Sequence, residues 1–156
     1  MPEQVILLRH GEKPAVGDTL SPQGFERAKA LVGYFSQSTM PFQLKAPVAI
    51  FAQRSDKKKS STRPVQTVGP LSNFWQVPLY TRYSSEEYDK LAEDISKNYT
   101  SGLVAVCWSH DNLAKLATEL GVKDAPEWPG SDYASVWVIN FSGNKVASFQ
   151  QYLQNN

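Results

Sequence analysis

The stretch Val5-Ile6-Leu7-Leu8-Arg9-His10-Gly11-Glu12-Lys13 passes from an unbroken apolar run into a charged tail that opens on arginine and histidine. Four consecutive apolar residues leave no polar face, so the run reads as a strand buried on both sides of a sheet. Two further runs of the same kind follow, Val48 to Ala52 and Leu103 to Trp108. Between them the apolar residues take up helical spacing. Ser21 is placed to cap a helix, Pro22 suits its first turn, and Phe25, Ala28, Val32 and Phe35 mark one buried face. Ser60-Ser61-Thr62 starts a second helix, with Pro64 in its first turn and Val65, Val68 and Leu71 following. Ser84 or Ser85 caps a third, over Tyr88, Leu91 and Ile95. Asn112 begins a fourth, with Leu113, Leu116, Ala117 and Leu120, and Gly121 stops it.

Buried strands alternating with helices predict a parallel sheet covered on both faces. The tail differs. Ser135 to Phe141 alternates as a strand, Ser142-Gly143-Asn144 has turn chemistry, and Lys145 to Gln150 returns as a neighbouring strand. Asp124 to Asp132 reads as an ordered loop. The expected fold is a three-layer α/β/α sandwich around a mostly parallel sheet, with a C-terminal hairpin-like strand pair. At 156 residues, a single domain over 1–156 is expected.

Composition narrows the function. With 41% hydrophobic and 20% charged residues, disorder, collagen-like repeats and coiled coil are excluded. Sixteen Lys and Arg against fifteen Asp and Glu leave a formal charge of +1, so any attraction for an anion must be local. One cysteine cannot form an internal disulfide, and with two histidines it cannot build a zinc site of the usual four cysteine and histidine ligands; no metal or other cofactor is expected. Met1-Pro2-Glu3-Gln4 lacks the basic start of a signal peptide, and no apolar run approaches the ~18 residues of a membrane span. The expectation is a cytoplasmic protein with neither nucleic acid nor membrane as partner.

In an open parallel sheet, ligands bind off the carboxyl ends of the strands, where loops and helix N-termini converge. The first strand ends in Arg9-His10-Gly11-Glu12-Lys13, the second in Gln53-Arg54-Ser55 with Arg63 beyond, and the third in Ser109-His110-Asp111. Taken alone, either histidine is a core or surface imidazole making one hydrogen bond. Both at matching strand ends, with arginines beside them, form a set. Guanidinium matches phosphate oxygens bidentately and stays charged. Two of them, with histidine and helix N-termini, make a pocket for a tetrahedral dianion. A neutral imidazole is a nucleophile at pH 7, and stabilising a transferring phosphoryl group is largely electrostatic work. Phosphoryl transfer through a phosphohistidine is the reaction this set fits.

These residues resemble the histidine phosphatase, or phosphoglycerate mutase-like, superfamily. Leu7-Leu8-Arg9-His10-Gly11-Glu12 is similar to its signature, and Leu20-Ser21-Pro22-Gln23-Gly24-Phe25-Glu26-Arg27-Ala28 to the start of its first helix. Ser61-Thr62-Arg63-Pro64-Val65-Gln66-Thr67 resembles the segment carrying the second phosphate-binding arginine, and Val106-Cys107-Trp108-Ser109-His110 the strand delivering the second histidine. The resemblance runs in order from Val5 to about Leu120, in a compact chain without a large cap. It implies that His10 attacks phosphorus while Arg9, Arg63 and His110 hold the phosphoryl oxygens, with Glu12 and Lys13 as further substrate contacts. Attack through one ring nitrogen requires the other to donate its proton to a fixed acceptor, such as a backbone carbonyl near Gly11. Members with a His-Asp pair use that aspartate as general acid, here Asp111, which also reads as a plain helix cap. Other branches take a glutamate before a mid-chain helix, where Glu86 and Glu87 lie, although both also suit a helix dipole. Some compact members use no dedicated acid when the leaving group is good.

The implied activity is metal-independent hydrolysis of phosphomonoesters, on a small molecule or a phosphoprotein, through a phosphohistidine intermediate. Between Val77 and Leu103 there is room for one helix and little lid. That disfavours a phosphoglycerate-type mutase, which remains an alternative beside a non-catalytic phosphate-binding module. Arg54, Lys57, Lys58, Lys59 and Arg63 form a basic loop, either simply solvated or a funnel for phosphorylated substrate. Arg54 is the substitute if this loop carries Arg63 away from the strand end. Lys13, before Pro14, suits solvent equally well. Cys107 reads as an inert core thiol. Trp108, Trp128, Tyr133 and Trp137 either pack the core or wall the pocket.

Overall fold

In the computed structural model, which describes residues 1–154, the opening apolar run is strand β1 (Gln4–Arg9), buried at all six positions. Such burial requires neighbours on both edges and helices on both faces. β4 (Leu103–Trp108) lies parallel along one edge of β1, Gln4 opposite Leu103 and Arg9 opposite Trp108. β5 (Ser135–Ser142) lies antiparallel along the other edge, Leu8 opposite Val136. β2 (Pro47–Ala52) and the two-residue β3 (Leu79–Tyr80) continue the sheet in parallel beyond β4, and β6 (Lys145–Leu153) pairs antiparallel with β5. The order is β3-β2-β4-β1-β5-β6. Gly143, at a φ of 62°, allows the tight turn between β5 and β6. β3 is the one strand the sequence did not announce, being too short to show a pattern.

The period of two along each strand divides the core into two layers. Ile6, Leu8, Ala105 and Cys107 pack with Leu31, Phe35, Val68 and Leu71 of α1 (Pro22–Phe35) and α2 (Arg63–Trp75). Val5, Leu7, Val106 and Trp108 pack with Leu91, Ile95, Leu113 and Leu116 of α3 (Tyr88–Asn98) and α4 (His110–Glu119). The sheet is thus mostly parallel and covered on both faces by helices, as expected. No helix among the described residues is long and apolar enough to cross a membrane.

Two expectations at helix starts and one about a buried face are corrected. On α1, Ser21 Oγ accepts from Gly24 N at 3.1 Å as a cap, yet the buried face runs through Gly24, Ala28, Leu31 and Tyr34 and leaves Phe25 43% exposed. Gly24 sets this rotation, because its backbone presses against Glu12. α3 begins at Tyr88, not after Ser84 or Ser85. Ser84 donates its N–H and its hydroxyl to the Glu87 carboxylate, both at 3.0 Å. α4 begins at His110, two residues before Asn112, with Ser109 at the cap position. His110 and Asp111 therefore stand in the first helical turn.

Candidate active site

Because Arg9 and Trp108 are paired across adjacent parallel strands, His10 and His110 leave the sheet side by side at its carboxyl rim. His10 is 8% exposed. Its Nδ1–H donates to the Gly11 carbonyl at 2.8 Å, which leaves the lone pair on Nε2. Burial holds the imidazole pKa down at about 4, opposed by the Gly11 hydrogen bond and reinforced by the charges of Arg9, Arg63 and Lys13. His10 is neutral at pH 7.

Gly11 is fixed in turn. Its N–H donates to Thr67 Oγ1 at 2.8 Å, and the Thr67 hydroxyl donates to the Arg63 carbonyl at 2.7 Å. A Cβ on Gly11 would stand 3.0 Å from the Gly24 carbonyl oxygen, and one on Gly24 would stand 2.4 Å from that of Glu12. The loop after β1 and the first turn of α1 thus touch backbone to backbone, and the Glu12 carbonyl accepts from Ser21 N at 2.9 Å.

Two arginines lie close enough for their charge to lower the His10 pKa. Arg9, buried at the end of β1, donates to the carbonyls of Gly130 and Asp132 and, at 3.3 Å, to the Tyr133 hydroxyl; its guanidinium carbon lies 3.8 Å from the Tyr133 ring centre. Arg63, the first residue of α2, donates to Gly17 O at 3.0 Å and Thr19 O at 3.3 Å. In both arginines Nε–H is buried and has no hydrogen-bond partner. An unpaired buried donor costs about 1–3 kcal/mol. The His110 ring is half-buried, with Nε2 3.3 Å from where a Cβ on Gly130 would lie. Burial lowers its pKa, Asp111 opposes this, and Arg9, Lys59 and Lys13 add to it. Arg9 and Lys13 therefore act on both imidazoles.

Other expected residues lie elsewhere or are already engaged. Both Glu12 carboxylate oxygens are held by Arg27, at 2.7 to 3.1 Å. Burial raises the Glu12 pKa, but Arg27 outweighs it and keeps the carboxyl below its usual value. Lys13 is exposed. Arg54 donates to the Arg82 carbonyl and to Glu87, whereas the charge of Arg63 acts on His10. Asp111 pairs with Lys59. Burial pushes its carboxyl up, but hydrogen bonds from Lys59 and Ser109 prevail and set its pKa below the ordinary value. Glu87, held by Ser84, Lys90 and Arg54, is brought down to about 2 chiefly by the Ser84 backbone N–H. Neither carboxyl holds a proton near neutral pH. Glu86 is exposed. The lysine loop turns around Asp56, whose carboxylate accepts from Lys58 N and Lys59 N. Trp108, Trp128 and Trp137 are core residues, and burial raises the Cys107 thiol pKa well beyond its usual value.

Three residues near the two histidines make contacts that the sequence did not announce. Thr67 stands four residues after Arg63, a spacing that returns it to the same helix face. Gln53, buried after β2, accepts the Ser109 N–H at 2.9 Å and so holds the start of α4. Tyr133 was noted only as one aromatic among several. Among the described residues, no group of three or more His, Cys, Asp and Glu side chains is arranged to hold a metal ion.

No family model and no curated protein sequence matches the chain. Solved structures do. The whole chain aligns with 97% of a protein from Escherichia coli described as an alpha-ribazole-5′-P phosphatase, with a TM-score of 0.62 and 12% identity. It aligns over 96% of its length with 89% of phosphoglycerate mutase from Plasmodium falciparum, at a TM-score of 0.58 and 14% identity. A protein from Agrobacterium tumefaciens described as the phosphohistidine phosphatase SixA matches 96% of the chain over 99% of its own, at 0.54 and 18% identity. The chain therefore has the histidine phosphatase fold that its motifs implied, and at these identities the likeness is one of fold.

Proposed function

We propose that the chain is a phosphohydrolase that transfers a phosphoryl group to His10 Nε2 and then to water. The observation that carries this is the neutral His10, its Nδ1–H given to Gly11 and its ring within the field of the Arg9 and Arg63 guanidinium groups. Nε2 bonds to phosphorus as the bond to the leaving oxygen breaks, and the leaving group departs with that electron pair. Arg9, Arg63 and His110 hold the three remaining oxygens. Water then attacks phosphorus, the P–N bond breaks, Nε2 regains its lone pair, and the proton from water passes to solvent as phosphate is released.

The carboxyl groups expected as acids bear on the substrate. Asp111 and Glu87 are ionised by their cationic and backbone partners, so a poor leaving group has no proton supplied there. The enzyme then favours esters whose leaving group is stable as an anion, or phosphoryl–nitrogen compounds protonated from water before cleavage. The fold neighbour described as a phosphohistidine phosphatase supports the second kind. The Plasmodium falciparum neighbour favours a mutase reading, which predicts transfer to a second substrate hydroxyl faster than to water.

The test is p-nitrophenyl phosphate hydrolysis with a chelator present. His10→Ala is expected to lose at least ~1,000-fold in kcat/KM, and activity retained by that variant rejects the proposal. Across a series of aryl phosphates, kcat/KM is expected to fall steeply as the leaving phenol becomes more basic. A flat dependence would assign an acid, with Asp111 released from Lys59 as the candidate.

A further inference from the structure

The charge of Arg9 acts on both His10 and His110, so the direction in which its guanidinium is turned matters to any anion the two histidines share. Nη1 is occupied by the carbonyls of Gly130 and Asp132. The edge left for phosphoryl oxygens is Nε–H with the Nη2–H beside it. Carbonyls at one end of the guanidinium leave its plane free to tip. Tyr133 removes that freedom. Its ring centre lies 3.8 Å from the guanidinium carbon, and its hydroxyl, at 3.3 Å, is the one partner of Nη2 among the described residues. The same ring stands 6.1 Å from the His10 ring, centre to centre, with the planes tilted by 58°.

The loop that carries Tyr133 is held without this side chain. Trp128 Nε1–H donates to the Asp132 carbonyl at 2.8 Å, and the Asp132 carboxylate accepts from Ala134 N at 2.9 Å and Ser135 N at 3.0 Å. The Tyr133 carbonyl accepts from Gln154 Nε2 at 3.4 Å. The half-buried Tyr133 ring is therefore spare to the loop and committed to Arg9. Its chemistry suits that task. A ring and a hydroxyl hold a cation without neutralising it, whereas a carboxylate in their place would compete with the phosphoryl group for the same charge. We infer that Tyr133 is a positioning residue for phosphoryl transfer, fixing the plane of the Arg9 guanidinium beside His10. This inference rests on Arg9 holding a phosphoryl oxygen in the proposed reaction.

The test is a double-mutant cycle between Tyr133 and Arg9, read as kcat/KM for p-nitrophenyl phosphate and as orthovanadate affinity. Tyr133→Leu is expected to lower both by about ten- to hundredfold, the scale of a misplaced catalytic group. Tyr133→Phe keeps the ring and loses only the hydroxyl, so a loss of about threefold is expected. In an Arg9→Met background, Tyr133→Leu is expected to change neither quantity by more than ~twofold, because the group it positions is gone. Two results overturn the inference: a Tyr133→Leu protein as active as the wild type, or one that loses as much in the Arg9→Met background as in the wild type. The second is what a purely structural residue would give. Urea unfolding identifies any variant that does not fold. Tyr133→Phe and Arg9→Lys, whose ammonium has no plane to align, then complete the cycle. A wild type that binds orthovanadate yet hydrolyses no phosphate ester would count against the phosphohydrolase reading, while the cycle in affinity still decides the role of Tyr133.

Discussion

The proton on His10 decides what the residue can do. With Nδ1–H engaged by Gly11, nucleophilicity resides on Nε2, and the depressed pKa keeps it available well below neutral pH. Nitrogen-detected NMR of the imidazoles is expected to show the Nδ1–H tautomer for His10 and titration near pH 4. Titration near 6.5 would mean that the ring is neither buried nor surrounded by cations as described. The pairing of His10 with Arg9 was legible as a tripeptide, and a backbone carbonyl near Gly11 was the expected acceptor. The state of Asp111 was not legible. Its neighbour Lys59 lies fifty-two positions away, and only folding of the lysine loop brings them together. The same holds for Glu12, whose partner Arg27 comes from the face of α1.

At the scale of elements, strands were easier to read than helix starts. Four or more consecutive apolar residues have few solutions besides a buried strand, whereas Ser84, Ser85, Ser109 and Asn112 all offer cap chemistry. The choice among them fell to tertiary bonds: Ser85 carbonyl and hydroxyl accept from Asn112 Nδ2, and Gln53 takes the Ser109 amide. The contact between the loop after β1 and α1 has a sharper consequence. A methyl group on Gly24 meets Glu12 backbone at 2.4 Å, and backbone on both sides cannot yield as a flexible side chain can. Gly24→Ala is expected to destabilise the fold by about 1–3 kcal/mol and to displace His10 through Gly11. Denaturant unfolding and kcat/KM should fall together; Gly33→Ala, where nothing stands within 4 Å, should do neither.

Over the whole molecule, the site bears on stability through pH. Between the ordinary histidine value of 6.5 and about 4, the unfolded chain binds a proton at His10 that the folded chain does not. Stability contributed by that depressed pKa is therefore complete above 6.5 and is lost as pH falls through this window, by on the order of 2 kcal/mol at pH 5. His110, lowered in the same direction, adds to the slope. Urea unfolding of wild type and His10→Asn at pH 7.5 and 5 should show the variant losing less; equal losses would contradict the burial of a neutral imidazole. The layered architecture was readable because alternation of buried strands and helices has one common outcome; the strand order was not. The depth of the rim was not, since the loop from Trp128 to Tyr133 that covers Arg9 has neither strand nor helix period.

The most direct measurement is rapid acid-free quenching of the enzyme during turnover of a radiolabelled aryl phosphate, followed by peptide mapping. The account predicts a phosphoenzyme that is stable to base, labile to acid, located on His10, and formed and broken down at rates that match turnover. Label on another residue, or turnover with no label and full activity in His10→Ala, would contradict it.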